Sequence, residues 1–388
     1  MSPFDSSLSD IGDPRSWPDP SIAGGAEPLH ALALASLSAA TADESDHADE
    51  VIDARLRDRV ADPNGLRRAL DSAPSASIYR HLWTRLARLD PALRLDPDAL
   101  RANVFAFPIV VVAGVADDRA DMAKLDGVVD VAPIVELLRN HHALGGNRNF
   151  ALAGALLGSE AVDVSMLARF QQWSAWRVED DSIGGQLQLL EPAPMSVTRA
   201  HETVHLRFLL GVALASGHAR LLDADGVGKW GTPLAQALSR QLAAPGLTAL
   251  ALPRPPRPPL IALAQGRAAQ REVSAQLFVS AALRRFRASV GEPGAVVSAH
   301  RSADSASGGE LRLSLSSPFY ERDAEGFRCP LARLDNVREV AAMLVELLND
   351  CRVATVRVLS GVHADRHADT GTLVLFKAHE LPAAGALH

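Results

Sequence analysis

His201-Glu202-Thr203-Val204-His205 is the one stretch of this chain whose residue types and spacing name a chemistry. On a helix, side chains four apart share a face one turn apart. His201 and His205 would then both reach a Zn²⁺ ion, with Glu202 beside them as a general base. The metal would lower the pKa of a bound water, and Glu202 would take its proton during attack on a carbonyl. Ser196 is placed to cap such a helix and Gly217 to end it, with Val197, Ala200, Val204, Leu206, Leu210 and Leu214 along its apolar side. The expectation is a helix over 196–217 that carries the motif.

Over this short segment the chain resembles the zincin metallopeptidases, and the resemblance implies a zinc-dependent hydrolase or peptidase with a third protein ligand. One zincin branch takes that ligand from a downstream Glu, yet no Glu occurs from Leu206 to Arg271. The other branch requires a Gly and a third His at positions held here by Phe208 and Gly211. His218, Asp223 and Asp225 remain as candidate third ligands, with His218 or Asp223 preferred. Arg207, two residues beyond the second His, is a cation that opposes a bound metal.

Other constellations carry less. His363, Asp365, His367 and Asp369 cluster in one stretch, but Arg366 lies among them and the setting reads as a solvated hairpin loop. Gly228-Lys229 is no phosphate loop, because Asp223 stands where a Gly is required and Trp230 where Ser or Thr would ligate Mg²⁺. No Gly-x-Ser-x-Gly elbow occurs, and Cys329 and Cys351 are neither a Cys-x-x-Cys pair nor a disulfide framework. A net charge of −7 argues against a nucleic-acid partner, and no apolar run reaches membrane-spanning length. The N-terminus lacks the basic and apolar segments of a secretory signal, so a cytoplasmic location is expected.

The elements that must position these residues suggest an α+β protein. Residues 1–50, rich in Ser, Asp, Pro and Ala, read as a flexible arm with a short apolar helix within Leu29–Leu37. Residues 51–252 read as a mainly helical domain with a buried strand or small sheet. The strand signal runs from Asn103 to Val115, apolar on both faces; Pro108 marks a start or a bulge, and a shorter strand over Ile109–Ala113 is the alternative. Helical spacing is expected from Phe150 to Gln172, with strands at Trp173–Val178 and Gln186–Leu190. Residues 253–259, with five prolines, read as a stiff hinge.

Residues 260–388 read as a two-layer αββ-αββ domain with an antiparallel sheet. Its helices fall at 262–290 and 336–350, its strands at 295–299, 310–316, 352–359 and 371–377, and Phe319–Leu331 is a loop. With every other catalytic motif failing, the leading expectation is a non-catalytic protein working through contacts with other proteins or with itself, without a cofactor. The alternative is the zinc hydrolase of His201, Glu202, His205 and His218 or Asp223.

Overall fold

The computed structural model describes residues 28–89, 100–115, 122–144, 149–174, 182–198, 202–216, 227–302, 309–317 and 324–363. They form an α+β protein in two compact units. The first spans Glu27–Ser72 and Leu82–Gln270, and the described residues of the second fall within Ala73–His81 and Arg271–His388. No helix among the described residues is long and apolar enough to cross a membrane.

The first unit begins with α1 (Pro28–Leu37), α2 (Ala42–Arg59) and α3 (Pro63–Asp71), followed by α4 (Ala76–Arg88), which enters it at Leu82. The acidic run expected to belong to a flexible arm is thus helical. Thr41 Oγ1 accepts from the Glu44 amide at 3.2 Å, and Asp43 and Glu44 sit in the first turn, where the helix dipole favours them. Asp49 and Asp53 accept from Arg85 at 2.9 and 2.5 Å, while Ile52 and Leu56 are buried. Charge neutralisation and a two-residue apolar stripe suffice to order the segment.

A four-stranded antiparallel sheet of order β3-β5-β1-β6 forms the centre of this unit. Its strands are β1 (Leu100–Val115), β3 (Phe150–Leu152), β5 (Thr203–Ser216) and β6 (Leu247–Pro253), and a separate ribbon pairs β2 (Met122–Leu125) with β4 (Met195–Thr198). The sheet is larger than the sequence suggested. Phe105, Phe107, Ile109 and Val111 of β1 and Leu209 and Ala213 of β5 face one core, shared with Ile134 and Leu138 of α5 (Val131–Asn140) and Trp230, Leu234 and Leu238 of α8 (Val227–Leu242). On the opposite face Gly266 of α9 (Pro259–Ser289) lets that helix approach closely: a Cβ there would lie 2.8 Å from Leu206 Cδ1 and 3.1 Å from Pro108 Cβ.

Pro108 sits where the β1–β6 ladder ends. Its carbonyl accepts from the Arg254 amide at 2.8 Å, and its missing N–H falls beside the prolines that follow, which offer no ladder of their own. Ala106 and Arg257 then exchange both backbone hydrogen bonds, at 2.8 and 3.0 Å. The segment 253–259 therefore lies inside the first unit, tied to β1.

Two further expectations change. Residues expected to be helical from Phe150 form β3 and two 3₁₀ turns before α6 (Leu167–Ser174), and of the expected hairpin strands, Trp173 and Ser174 end α6 and Gln186–Gln188 end α7 (Ser182–Gln188), while 175–178 lie outside the described residues. Ile183 and Leu187, one turn apart, are both buried, and Trp173 Nε1 donates to Gln186 Oε1 at 2.5 Å. An i,i+4 apolar pair satisfies a short helix better than the alternation a strand needs.

The second unit contains a sheet of order β10-β7-β8-β9, from β7 (Gly294–Arg301), β8 (Gly309–Ser316), β9 (Ala324–Pro330) and β10 (Thr355–His363), with α10 (Val337–Asp350) between the last two. Residues 324–330, expected to be loop, form β9, so among the described residues three strands rather than two precede α10, in the order αβββαβ. The three-strand meander is antiparallel. β10, arriving after α10, lies parallel to β7 instead of closing a second hairpin. The expected last strand at 371–377 lies outside the described residues. Ala295, Val297, Ala299, Leu311, Leu313 and Leu315 face a core completed by Val279, Leu283 and Phe286 of α9 and Val340, Leu344 and Leu348 of α10.

Candidate functional site

The expected motif helix over 196–217 is replaced by β4 and β5. His205 is the third residue of β5 and pairs with Val111 of β1; Glu202 immediately precedes the strand. Residues three apart on an extended chain point to opposite faces. His205 lies on the face of Leu209 and Ala213, whereas exposed Glu202 lies on the other, near Gly114: a Cβ built there would meet Glu202 Cγ at 3.5 Å. Residues four apart rise about 6 Å in a helix but about 13 Å in a strand, and His205 lies in a strand rather than on the helix that the zinc reading requires. His201, His218, Asp223 and Asp225 lie outside the described residues. Among the described residues no group of three or more His, Cys, Asp or Glu could hold a metal ion.

The sequence alternates at the start of β5: Thr203, His205 and Arg207 on one face, Val204, Leu206 and Phe208 on the other. Beyond Phe208 both faces are apolar, and the pattern becomes compatible with a helix as well. Gly211 decides for the sheet, since its missing side chain leaves room for the Phe105 ring and Leu152. His205 Nε2 lies 3.1 Å from Thr203 Oγ1. Burial holds its imidazole below the ordinary pKa, the neighbouring Arg207 charge adds to this, and a backbone hydrogen bond at Ser196 partly opposes it. Arg207 donates to the carbonyls of Ala193 at 3.0 Å, Pro194 at 2.6 Å and Leu206 at 2.7 Å, which fixes its guanidinium over the β4 approach.

The residue types of an acyl-transfer site occur elsewhere, on the second sheet. Ser298 and His300 project from the same face of β7, both fully buried, with Ser298 Oγ and His300 Nε2 2.9 Å apart. Glu310 of β8 stands directly opposite His300 and is also fully buried. Its carboxylate accepts from Arg312 Nε at 2.6 Å through Oε1 and from Arg328 Nε at 2.9 Å through Oε2. The acid that would orient an imidazole in a Ser-His-Glu relay is therefore committed to two guanidiniums. A nucleophile must also meet its substrate, and Ser298 lies on the flat of a covered strand rather than on an exposed elbow. We read the network as structural. Nothing in the sequence separates such a buried polar face from a solvated one: Ser298, His300, Glu310, Arg312, Ser314 and Ser316 alternate with apolar residues as an outward face would.

The surface offers a different feature. α1 carries no charged residue, and its outward side presents Ala31, Leu34, Ala35 and Leu37, with Leu34 57% and Leu37 48% exposed. Its inner side is anchored: Leu29 and Ala33 are buried, His30 Nε2 donates to the Ala69 carbonyl at 2.7 Å, and Ser36 Oγ donates to Asp49 at 2.7 Å. A surface helix normally sets charged residues against water, and this one sets leucines. Edge strand β6, by contrast, is blunted. The Ala251 amide is taken by Ser239 Oγ at 2.9 Å and the Leu247 amide by the Ala244 carbonyl at 3.0 Å, while Pro253 has no N–H.

No family model, no curated protein and no solved structure matches this chain.

Proposed function

We propose that this chain acts as a non-catalytic assembly, scaffold or regulatory component that works through protein contacts, with α1 as a contact face. The outward leucines of α1 carry the reading. A rigidly held helix with an uncharged, apolar outer side has the character of a helix that is covered in its working state. The reading is further supported by the commitment of Glu310 to arginine pairs and by the separation of His205 from Glu202. Covering Leu34 and Leu37 removes apolar surface from water, and the small side chains Ala31 and Ala35 let a partner backbone approach closely.

The test is the mass of the full chain in solution, alone and after recovery from its source lysate, for the native sequence and for Leu34→Glu with Leu37→Glu. Both substitutions are at exposed positions and leave the buried side of α1 intact. The native chain is expected to form a stoichiometric complex, with a second copy or with another protein, that the double substitution abolishes. A strict monomer that recovers no partner, or a complex that survives the substitution unchanged, contradicts the proposal.

A further inference from the structure

Within the first unit, the last turns of α2 and α4, the first half of β1, α6 and the start of α9 enclose a cavity of about 450 Å³. This falls in the range of small-molecule sites. Its walls are largely apolar, formed by Leu86, Phe170 and Leu260 among others, and its charged members among the described residues are Arg57, Arg88 and Asp58. Among the described residues of the lining, two guanidiniums stand against one carboxylate, an excess of one positive charge.

Two observations aim that charge at a ligand. Arg57 Nε is fully buried and has no hydrogen-bond partner, an arrangement native proteins avoid unless a water or bound group completes it. α9 also begins at the cavity wall. The Ala262 amide is the first to be accepted within the turn, by the Pro258 carbonyl at 2.8 Å, and Pro259 has no N–H, so the Leu260 and Ile261 amides lack intrahelical acceptors. The first turn of this 31-residue helix contains no acidic residue, and its positive end is uncompensated from within.

We propose that the cavity binds a small amphipathic carboxylate. The ionised head pairs with Arg57 and the α9 N-terminus, and the apolar body lies against Leu86, Phe170 and Leu260. A monoanion matches the excess charge of the described lining, whereas a dianion would overcompensate it beside Asp58. The proposal stands apart from the contact role of α1.

Calorimetric titration of the full chain with octanoate, 1-octanol and phenyl phosphate tests it. Octanoate is expected to bind at one site per chain, about tenfold or more tighter than 1-octanol and tighter than phenyl phosphate. Arg57→Gln, which keeps a polar side chain but removes the charge, should bring octanoate to within about threefold of the alcohol. Ala87→Phe, which grows a cavity-lining side chain while retaining Arg57, should abolish octanoate binding in a chain whose circular dichroism is unchanged. Absence of saturable octanoate binding, equal affinity for acid and alcohol, tighter binding of phenyl phosphate, or an Arg57→Gln chain that binds octanoate as before would each overturn the assignment.

Discussion

Replacing Glu310 by Gln isolates the buried charge network of the second sheet, because the amide retains a carbonyl acceptor and loses only the charge. Glu310 is fully buried and Arg312 is 3% exposed, so removing the carboxylate's charge takes away a counter-charge to a guanidinium that water cannot reach. Breaking a buried pair from one side costs about 3–5 kcal/mol. The Arg328 side chain is 45% exposed and solvent screens it, so its share is small and the lower end of that range is expected. About 3 kcal/mol corresponds to roughly a hundredfold faster amide exchange if β7 and β8 open together. Hydrogen exchange by mass spectrometry on peptides covering 294–301 and 309–316 measures this directly. Glu310→Met combined with Arg312→Met removes both buried charges and is expected to lie within about 1 kcal/mol of the native chain. Unchanged exchange in Glu310→Gln, or a double substitution as damaging as the single one, would refute the reasoning.

Three further outcomes follow from local geometry. Gly211→Ala should destabilise the first unit by about 2 kcal/mol, seen in thermal melting, because a Cβ there would lie 2.7 Å from Leu152 Cδ2 and 2.8 Å from Phe105 Cε2; shortening Phe105 to Leu should recover part of the loss. Cys329, buried in the second core with its thiol pushed up to about 12, should resist alkylation at pH 8 in the native chain, while Cys351, only partly buried, reacts first; equal rates would contradict this. His205 should titrate below 6.5 by NMR. The unfolded chain therefore binds a proton before the folded one does, and stability falls as pH drops through 6.5 toward the folded-state value. Arg207→Met should move the titration upward, and a native midpoint at or above 6.5 would contradict the burial argument.

How much of this was legible depended on whether one reading satisfied each segment. Ile109–Ala113 could only be a buried strand, since β-branched residues face both sides, but Pro108 does not begin it: β1 runs from Leu100 and pairs without a break with β5 through Pro108, and only the β1–β6 ladder ends there. The helices of the second unit were equally plain from their apolar stripes. β5 was not, because Leu209, Leu210, Val212, Ala213 and Leu214 fill both faces, and a fully buried strand then mimics a buried helix. That ambiguity let His201 and His205 read as an i,i+4 pair on one helix face, whereas His205 lies in a strand. β9 was hidden by Gly326 and Pro330 at an edge, where backbone pairing with β8 rather than side-chain pattern defines the strand. The acidic character of α2 concealed its order because its counter-charge, Arg85, comes from a separate helix.

The central claim concerns the outward side of α1, and a photoreactive residue placed at Leu34 interrogates it most directly. Irradiation in the source cells should trap the chain covalently to a defined protein, a second copy or a different chain, from position 34. The same residue at exposed Gln236 of α8 serves as the control and should trap none. Solvent quenching at position 34 with no protein adduct, or adducts formed equally from both positions, would contradict a contact role for this helix.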